Sequence, residues 1–372
     1  VTAALNTSQR QTLGLIRERG NLSRAEIAAI LQISRPAVTE IVHVLVAEGW
    51  VEEHSTGGNQ RGQPKINLQL RARAACSVGV FIQNDGIALM LADLNGRPIT
   101  TASLTPTPED PETACDQIAE NITRLLRAQR IARERVLSVG VAVTGFFLEN
   151  RTEIFPPVEM APWRRFPLQA ALAQRLSCTV IVENDGNAAA LAEHMNGTGR
   201  DYSAFLYLYL AYGVGGGFVH RGEIFTGAFG NACEIGRLIP PHPAVRPTLT
   251  SLARHLGRRH GSITGEQISA WFAAGEPKFM DFLARAAESL HGPLATAVVL
   301  LDPAAIVLGG KFPPEVLAWL VEHLSVAHTD TARIPHLPQP RVIVSGLPGV
   351  EAGLLGAALL PLHAFFRGPS PE

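Results

Sequence analysis

Residues 211–236, AYGVGGGFVHRGEIFTGAFGNACEIG, hold eight glycines, a density that no ordinary core strand or helix tolerates. Glycine loses the most conformational entropy in a regular element and is kept where the main chain turns sharply or comes close to a ligand or another backbone. The run follows the apolar alternation AFLYLYL, so Gly213 to Gly217 read as a strand end, a tight turn and the start of the next strand. That is the shape of a phosphate loop and equally of a glycine-rich hairpin with no ligand, and spacing does not separate the two.

A chain of 372 residues, 46% of them apolar, is expected to form two or three well-packed domains. The longest candidate for a bilayer span, ATAVVLLDPAAIVLGG, is interrupted by Asp302 and Pro303. No charged, then apolar, then small-residue leader opens the sequence. A soluble, cytoplasmic protein without a membrane partner is the expectation. Cys76, Cys115, Cys178 and Cys233 are far apart, which argues against a disulfide framework and against a Cys-x-x-Cys metal site, and suits a reducing compartment. Residues 1–75 carry nine Lys/Arg against six Asp/Glu and leave the remainder at −4, so the basic end is where a nucleic-acid partner is sought first.

That end reads as three capped helices. Asn6 with Gln9 opens the first, Leu13 and Ile16 give it an apolar face, and Gly20 closes it. Ser23 and Glu26 form a capping box for the second, with Leu22 and Ile27 as its hydrophobic staple. After the link Gln32-Ile33, Ser34 caps a third helix whose Val38, Ile41, Val42 and Leu45 fall on one side, and Gly49 ends it. Two short capped helices joined by a tight link are the helix-turn-helix pattern, whose second helix enters the major groove by its first turns. Ser34, Arg35, Ala37, Thr39, Glu40 and His43 are the candidate DNA contacts. WVEEH and KINLQL then read as two strands, the second with Ile66, Leu68 and Leu70 on one face. Between them, Arg61, Gly62, Gln63 and Pro64 form a slim basic wing suited to an A·T-rich minor groove. A solvated hairpin on a protein-binding three-helix scaffold would share some of these elements; helix pair, reading face and basic wing in that order favour DNA.

From Cys76 the pattern changes to apolar strands. CSVGVFI, GIALMLADL and a return after Asn95-Gly96-Arg97-Pro98 make a meander. A helix over about 114–130 leads to the buried strand VLSVGVAVTG, and CTVIVEND ends in Asn184-Asp185 just before a helical segment. Polar residues at the carboxyl end of a buried strand are where α/β folds place ligands. PAAIVLGG, RVIVSGL and the final helix GLLGAALLPLHAFF complete a second α/β unit.

GEIFTGAFGNACEIG resembles the signature of the ROK family (repressors, open reading frames and sugar kinases), a second glycine-spaced loop ending in Gly-Glu-Ile-Gly-His. Here the ending is Cys233-Glu234-Ile235-Gly236-Arg237, so two of the five residues differ. The amino end resembles the winged helix of ROK repressors, with their Ser-Arg-Ala-Glu-Ile-Ala start and a Gly-Arg-Pro wing into which Gln63 intrudes. Glu183-Asn184-Asp185 resembles the start of the family's Glu-Asn-Asp-Ala-Asn stretch, in which the Asn binds a sugar hydroxyl and the Asp is the base for phosphorylation. The resemblance covers about residues 6–360. It implies an α/β, two-lobed actin-like, sugar-kinase-like ATPase fold preceded by an α+β winged helix-turn-helix domain. The expected division is 1–72 for the winged helix and 73–372 for the kinase-like portion. Within the latter, the first lobe takes about 73–186 and the last helix, about 349–365, and the second takes about 187–348.

The departures matter as much. Kinase members open the first lobe with Asp-x-Gly-Gly-Thr, and the aligned residues here are Phe81-Ile82-Gln83-Asn84-Asp85, so an acid has become aromatic and two bare backbones have gained side chains. Asp85 reads as a turn residue before Gly86. Ala211-Tyr212-Gly213 stands where the second phosphate loop has Gly-Thr-Gly. No phosphoryl transfer is expected, although Asp185 matches the kinase base. The zinc that many members hold through the signature His and a Cys-rich run lacks its ligands, since Arg237 is followed by no cysteine and His242 reads as a loop residue. No metal or cofactor is therefore expected. Asn184, Asp185, Glu234 and Arg237 are the candidate ligand-binding residues; the bland reading is that Asn184 and Asp185 cap a helix and Glu234 pairs with Arg237. Trp163 is either a pocket wall or core. The expected protein is a homodimeric or larger DNA-binding regulator, of repressor type and concerned with carbohydrate metabolism, that meets a double-stranded operator and a sugar-type effector. A DNA-binding protein with residual sugar kinase activity, and a regulator with a dead pocket, remain as alternatives.

Overall fold

Side-chain oxygens start the first three helices. Asn6 caps α1 (Thr7–Arg19) in a box with Gln9, Ser23 caps α2 (Arg24–Leu31) in a box with Glu26, and Ser34 caps α3 (Arg35–Ala47) by accepting from the Ala37 amide. Each such cap is worth about 1 kcal/mol. α2 and α3 bend by 118° at their link, where Gln32 takes the left-handed φ of 55°, as a helix-turn-helix requires. Leu13, Ile16, Ile27, Val38, Val42 and Leu45 close the core between the three helices. β1 (Val51–Thr56) pairs antiparallel with β2 (Lys65–Leu70), Val51 opposite Leu70. Leu68 and Leu70 are buried but Ile66 is 42% exposed. The apolar face expected of the second strand is therefore covered only at its base.

The molecule is seen in a computed structural model that describes residues 5–56, 65–104, 110–148, 151–240, 245–259, 261, 263–324, 338–347 and 352–368. Arg61, Gly62, Gln63 and Pro64 of the wing, and His242, lie outside the described residues.

The first large sheet is built by β3 (Cys76–Gln83), β4 (Gly86–Asp93) and β5 (Pro98–Leu104) as an antiparallel meander. After α4 (Pro111–Ala128), β6 (Val136–Val143) joins β3 in parallel. A small hairpin of β7 (Phe146–Phe147) and β8 (Ile154–Phe155) and the helix α5 (Leu168–Leu176) precede β9 (Val180–Asn184), which completes the order β5-β4-β3-β6-β9. β9 runs straight into α6 (Asp185–Asn196). The second sheet takes β10 (Ala204–Leu210), β11 (Val214–His220) and β12 (Glu223–Ile224) as a meander. The helices α7 (Leu249–His255), α8 (Gly265–Ala273) and α9 (Pro277–Leu301) follow, then β13 (Ala305–Gly310), α10 (Pro314–His323) and β14 (Arg341–Val344), giving the order β12-β11-β10-β13-β14. The chain returns as α11 (Ala352–Arg367).

Alternation along β10 shows how the layers divide. Leu206, Leu208 and Leu210 join the cluster of α9 and α10, whereas Phe205, Tyr207 and Tyr209 join the cluster of α6 and α11. α11 packs against β3, β6 and α6, and α6 packs in turn against β10 and β11. Both helices are buried almost all round because they lie between the two sheets, α11 with apolar side chains and α6 with Asp185, Asn187 and Glu193 buried among its alanines. The glycines of β11 permit this: a Cβ on Gly217 would lie 2.7 Å from the Ala190 Cβ, and one on Gly216 would lie 2.8 Å from the Cys233 carbonyl oxygen. The glycine run thus brings a helix and a loop onto a strand, backbone against backbone. Among the described residues no single helix is long and apolar enough to cross a membrane.

The winged helix is seated on the last helix. Trp50 stacks on Phe365 with ring centroids 5.5 Å apart, and the guanidinium groups of Arg10 and Arg17 lie 5.3 and 6.0 Å from the ring centroids of Phe365 and Phe366. α1 and α11 belong to one continuous buried cluster. An aromatic pair of this kind contributes about 0.5–1.5 kcal/mol beyond its buried area.

Candidate functional site

The reading face of α3 is open. Ser34, Arg35, Ala37, Thr39, Glu40 and His43 are all exposed, while Val38, Val42 and Leu45 are buried on the other side and Ile41 is half-buried. Thr39 spends its hydroxyl proton on the Arg35 carbonyl at 2.9 Å, so it offers lone pairs and a methyl group outward. Arg35 retains an exposed fork of donors suited to phosphate or guanine.

The second constellation lies where β9 becomes α6. The Asn184 Oδ1 accepts from the amides of Gly186 and Asn187, and its Nδ2 donates to the Gly145 carbonyl at 2.9 Å. Its carboxamide is thus engaged as a cap and as a tie to the end of β6. Asp185 is buried; its Oδ2 accepts from the Thr144 hydroxyl at 2.7 Å and its Oδ1 from the Gly186 amide at 3.0 Å. Glu234 comes from the second glycine-spaced loop and is pushed up to about 7, by burial first and then by the Asp185 charge, with Arg237 opposing. The structure therefore brings Glu234 within electrostatic reach of Asp185 and Arg237. The Arg237 guanidinium lies 5.2 Å from the centre of the Phe146 ring. Trp163 is buried in the core beneath α5 with Phe166 edge-on.

Three supporting residues escaped the sequence, and a fourth, Glu183, was named there only as part of its motif. Asn231 accepts from the Phe147 amide and donates to the Phe147 carbonyl, both at 2.8 Å, which sews the glycine-spaced loop to β7. Arg151 reaches Glu183 at 2.7 Å, and Glu183 accepts in turn from the Asn184 amide and the Asn187 side chain. Thr144 completes the set. Thr144, a polar residue one past the end of β6, carried a signal of this kind; Asn231 and Arg151 lie in loops away from any strand end. Cys233, where the signature has Gly, keeps the backbone at φ 64°, a left-handed conformation that costs a side-chain-bearing residue roughly 1–2 kcal/mol.

The β3–β4 turn, which the resemblance matches to the phosphate turn of the kinases, is engaged by other parts of the chain. Asp85 accepts from the Tyr212 hydroxyl at 2.7 Å and pairs with Lys311 at 2.9 Å, joining the first sheet to the ends of β10 and β13. Burial disfavours its charge, but Lys311 and then Tyr212 more than offset this and hold the carboxyl below the usual range. Asp85 is a turn residue, as expected, and also a bridge between the sheets. Phe81 is fully buried, and a Cβ on Gly353 of α11 would lie 3.0 Å from its ring.

Comparison with known proteins agrees with this anatomy. The ROK family model matches residues 77–247 and the MarR family model residues 5–62. The chain is 30% identical over 380 residues to the uncharacterized protein y4fQ of Sinorhizobium fredii, covering 99% of this chain and 94% of that one. It is 23% identical over 237 residues to the xylose repressor of Bacillus spizizenii, covering 64% of this chain and 61% of the repressor. A solved ROK family transcriptional regulator, a homologue of the E. coli MLC protein, superposes with a TM-score of 0.74 at 19% identity over 96% of each chain. The ROK hexokinase of Thermus thermophilus superposes at 0.60 with 28% identity, over 76% of this chain and 97% of that one.

Proposed function

Because the chain belongs to the ROK family and carries the DNA-binding winged helix-turn-helix of that family's regulators, we propose that it is a cytoplasmic transcriptional repressor of carbohydrate metabolism. On this reading its kinase-like portion senses a sugar or sugar derivative without phosphorylating it. The division proposed is 1–72 for the winged helix and 73–372 for the kinase-like portion. The observation that carries the reading is the course of α6. Its first residue, Asp185, is near enough for its charge to raise the Glu234 pKa, and its last, Asn196, accepts a hydrogen bond from Arg17 of the winged helix. A polyhydroxylated ligand held by Asp185, Glu234 and Arg237 therefore acts on one end of a rod whose other end touches the DNA-reading domain.

The phosphate turn supports a sensor over a kinase. Transfer needs backbone amides and a metal-binding acid near the phosphates; here Phe81 is core and Asp85 is engaged by Lys311 and Tyr212. A homodimer is proposed because a single recognition helix per chain reads a two-fold operator only in pairs. The carboxamide of Asn184, with its oxygen and one of its two N–H donors engaged, favours the second reading, a regulator whose pocket is dead and whose control comes from a partner. Selection of bound genomic fragments, followed by titration of that complex with a panel of sugars, tests the proposal. Release of DNA by one sugar, with no ADP produced from ATP, is the expected result. Stoichiometric phosphorylation of any sugar in the panel would refute the sensor reading.

A further inference from the structure

Where the winged helix meets the rest of the chain there is a cavity of about 1430 Å³, walled by α1 and the end of α2 on one side. The end of α6, the β11–β12 turn and the end of α11 form the other side. Its character is basic: Arg17 enters from α1, His194 from α6, Arg200 from the segment after it, Arg221 from the turn, and His363 and Arg367 from α11. The acids nearby are Glu18 and Asp201 in the wall, Asp93, whose charge acts on Arg17, and Glu223, which pairs with Arg367. Existing hydrogen bonds leave donors over. The Arg17 Nη2 is taken by Asn196 at 2.6 Å, one Arg200 donor by the Glu18 carbonyl at 3.0 Å, and the His363 Nε2 by the Gly222 carbonyl at 2.9 Å. The Arg17 Nε and His194 Nδ1 are buried and have no partner among the described residues. Burial, followed by the charges of His363, Arg17, Arg367 and Arg200, drives His194 down to about 4, and His363 is lowered too, by burial foremost. An unpaired buried Arg17 Nε and an unpaired His194 ring nitrogen beside the guanidinium groups of Arg200, Arg221 and Arg367 raise the free energy of the empty cavity.

We propose that this cavity is a binding site for a small phosphate-bearing anion of two or more charges, seated between the DNA-binding domain and the kinase-like portion. Guanidinium forks and imidazole N–H groups converging on one space suit the several acceptor oxygens of a phosphate group. The volume leaves room for an organic body beside it. The site is separate from the Asp185 and Glu234 constellation, which lies at the other end of α6, about 18 Å away along a twelve-residue helix. An anion there ties α1 to α6 and α11, so its occupancy sets how firmly the reading head is held.

The test is calorimetric titration of the full chain with inorganic pyrophosphate at constant ionic strength. Saturable binding is expected. It should weaken about tenfold or more in Arg221→Gln and in His194→Gln, each of which removes a donor to a charged group. Arg221 is exposed, so its variant should melt like the parent without pyrophosphate, and Glu234→Gln should bind pyrophosphate like the parent. Absence of saturable binding overturns the proposal, as does binding that is indifferent to both cavity variants or that is lost in Glu234→Gln. A final arm uses random-sequence duplex DNA. If the cavity variants weaken that complex and leave pyrophosphate binding alone, the basic groups serve the DNA backbone and the proposal falls.

Discussion

Arg17 of the winged helix donates to the Asn196 side chain at 2.6 Å, and Asn196 donates onward to the Gly96 carbonyl at 2.9 Å. One amide at the end of α6 thus joins the DNA-reading domain, the central helix layer and a turn of the first sheet. Asn196→Ala leaves the Arg17 guanidinium short of a partner in a site where burial already lowers it to about 10. A loss of about 1–3 kcal/mol is expected, read from the urea midpoint at unchanged slope. A midpoint equal to the parent's would mean that the bond does not hold the head.

Phe365 stands between Trp50 and Phe366, buried on the winged-helix side of α11. Phe365→Ala should cost about 3 kcal/mol or more through the cavity it leaves. It should also separate the unfolding of the winged helix from that of the rest. Two transitions in differential scanning calorimetry, against one in the parent, are the expected signature.

On DNA, Arg35→Ala and Arg61→Ala should each weaken binding to all sequences and reduce the salt slope by about 1, because each removes one cation from the contact set. Thr39→Ala should instead change base preference at one position and leave the slope alone. Anisotropy titrations over a salt series, with selected and scrambled duplexes, distinguish the two behaviours. Full retention of affinity in the Arg35/Arg61 double variant would remove α3 and the wing from the interface.

Glu234 gives a pH dependence of definite sign. Its folded pKa of about 7 lies above the ordinary glutamate value of 4.5, so the folded state holds more protons between those values and stability falls as pH rises from about 4.5 to 7. Glu234→Gln should flatten that slope. Ligand binding should run the other way: if the carboxylate accepts from ligand hydroxyls, affinity rises between pH 6 and 8 as about pKa 7 is crossed, and the variant loses this rise. An identical pH profile for parent and variant would exclude Glu234 from the site.

Asp85 bridges to Tyr212 and Lys311 through a partly exposed pair, for which about 1 kcal/mol is a reasonable magnitude. Asp85→Ala should therefore melt near the parent yet exchange amide hydrogens faster at the β3–β4 turn. On the proposed sensor reading it should release no ADP in the presence of sugars, since Phe81, which the resemblance matches to the kinases' metal-binding acid, is unchanged. Unchanged exchange would show that the bridge is not maintained in solution.

Short-range chemistry was legible without the structure. Asn6, Ser23 and Ser34 announce their helices because a cap and the amides it satisfies lie within three residues. The alternation and turn residues of 76–104 announce a meander for the same reason. The ROK signature was legible because its loop is contiguous, and it carried the two-lobed fold with it. Asn184 was harder to read: one side chain fits both a sugar hydroxyl and a helix cap, and only the positions of Gly145, Gly186 and Asn187 show its present engagement.

The sequence by itself determined the starts of the first three helices, the meander of 76–104, the family and the residues that depart from its kinases, while placing α4 about three residues late. Tertiary structure alone decided what those residues meet. The glycines of β11 read equally as a phosphate loop, and it is α6 and the loop at Cys233 pressing on Gly217 and Gly216 that gives those two a role in backbone packing. Asp85 meets Lys311 across 226 residues of chain and Arg17 meets Asn196 across 179. No local propensity encodes such pairs, because their energy exists only after two sheets and the helix layer between them have been brought together. The docking of Trp50 on Phe365 has the same origin: each ring looks like ordinary core in its own segment, and which surface it buries against is a property of the assembled fold.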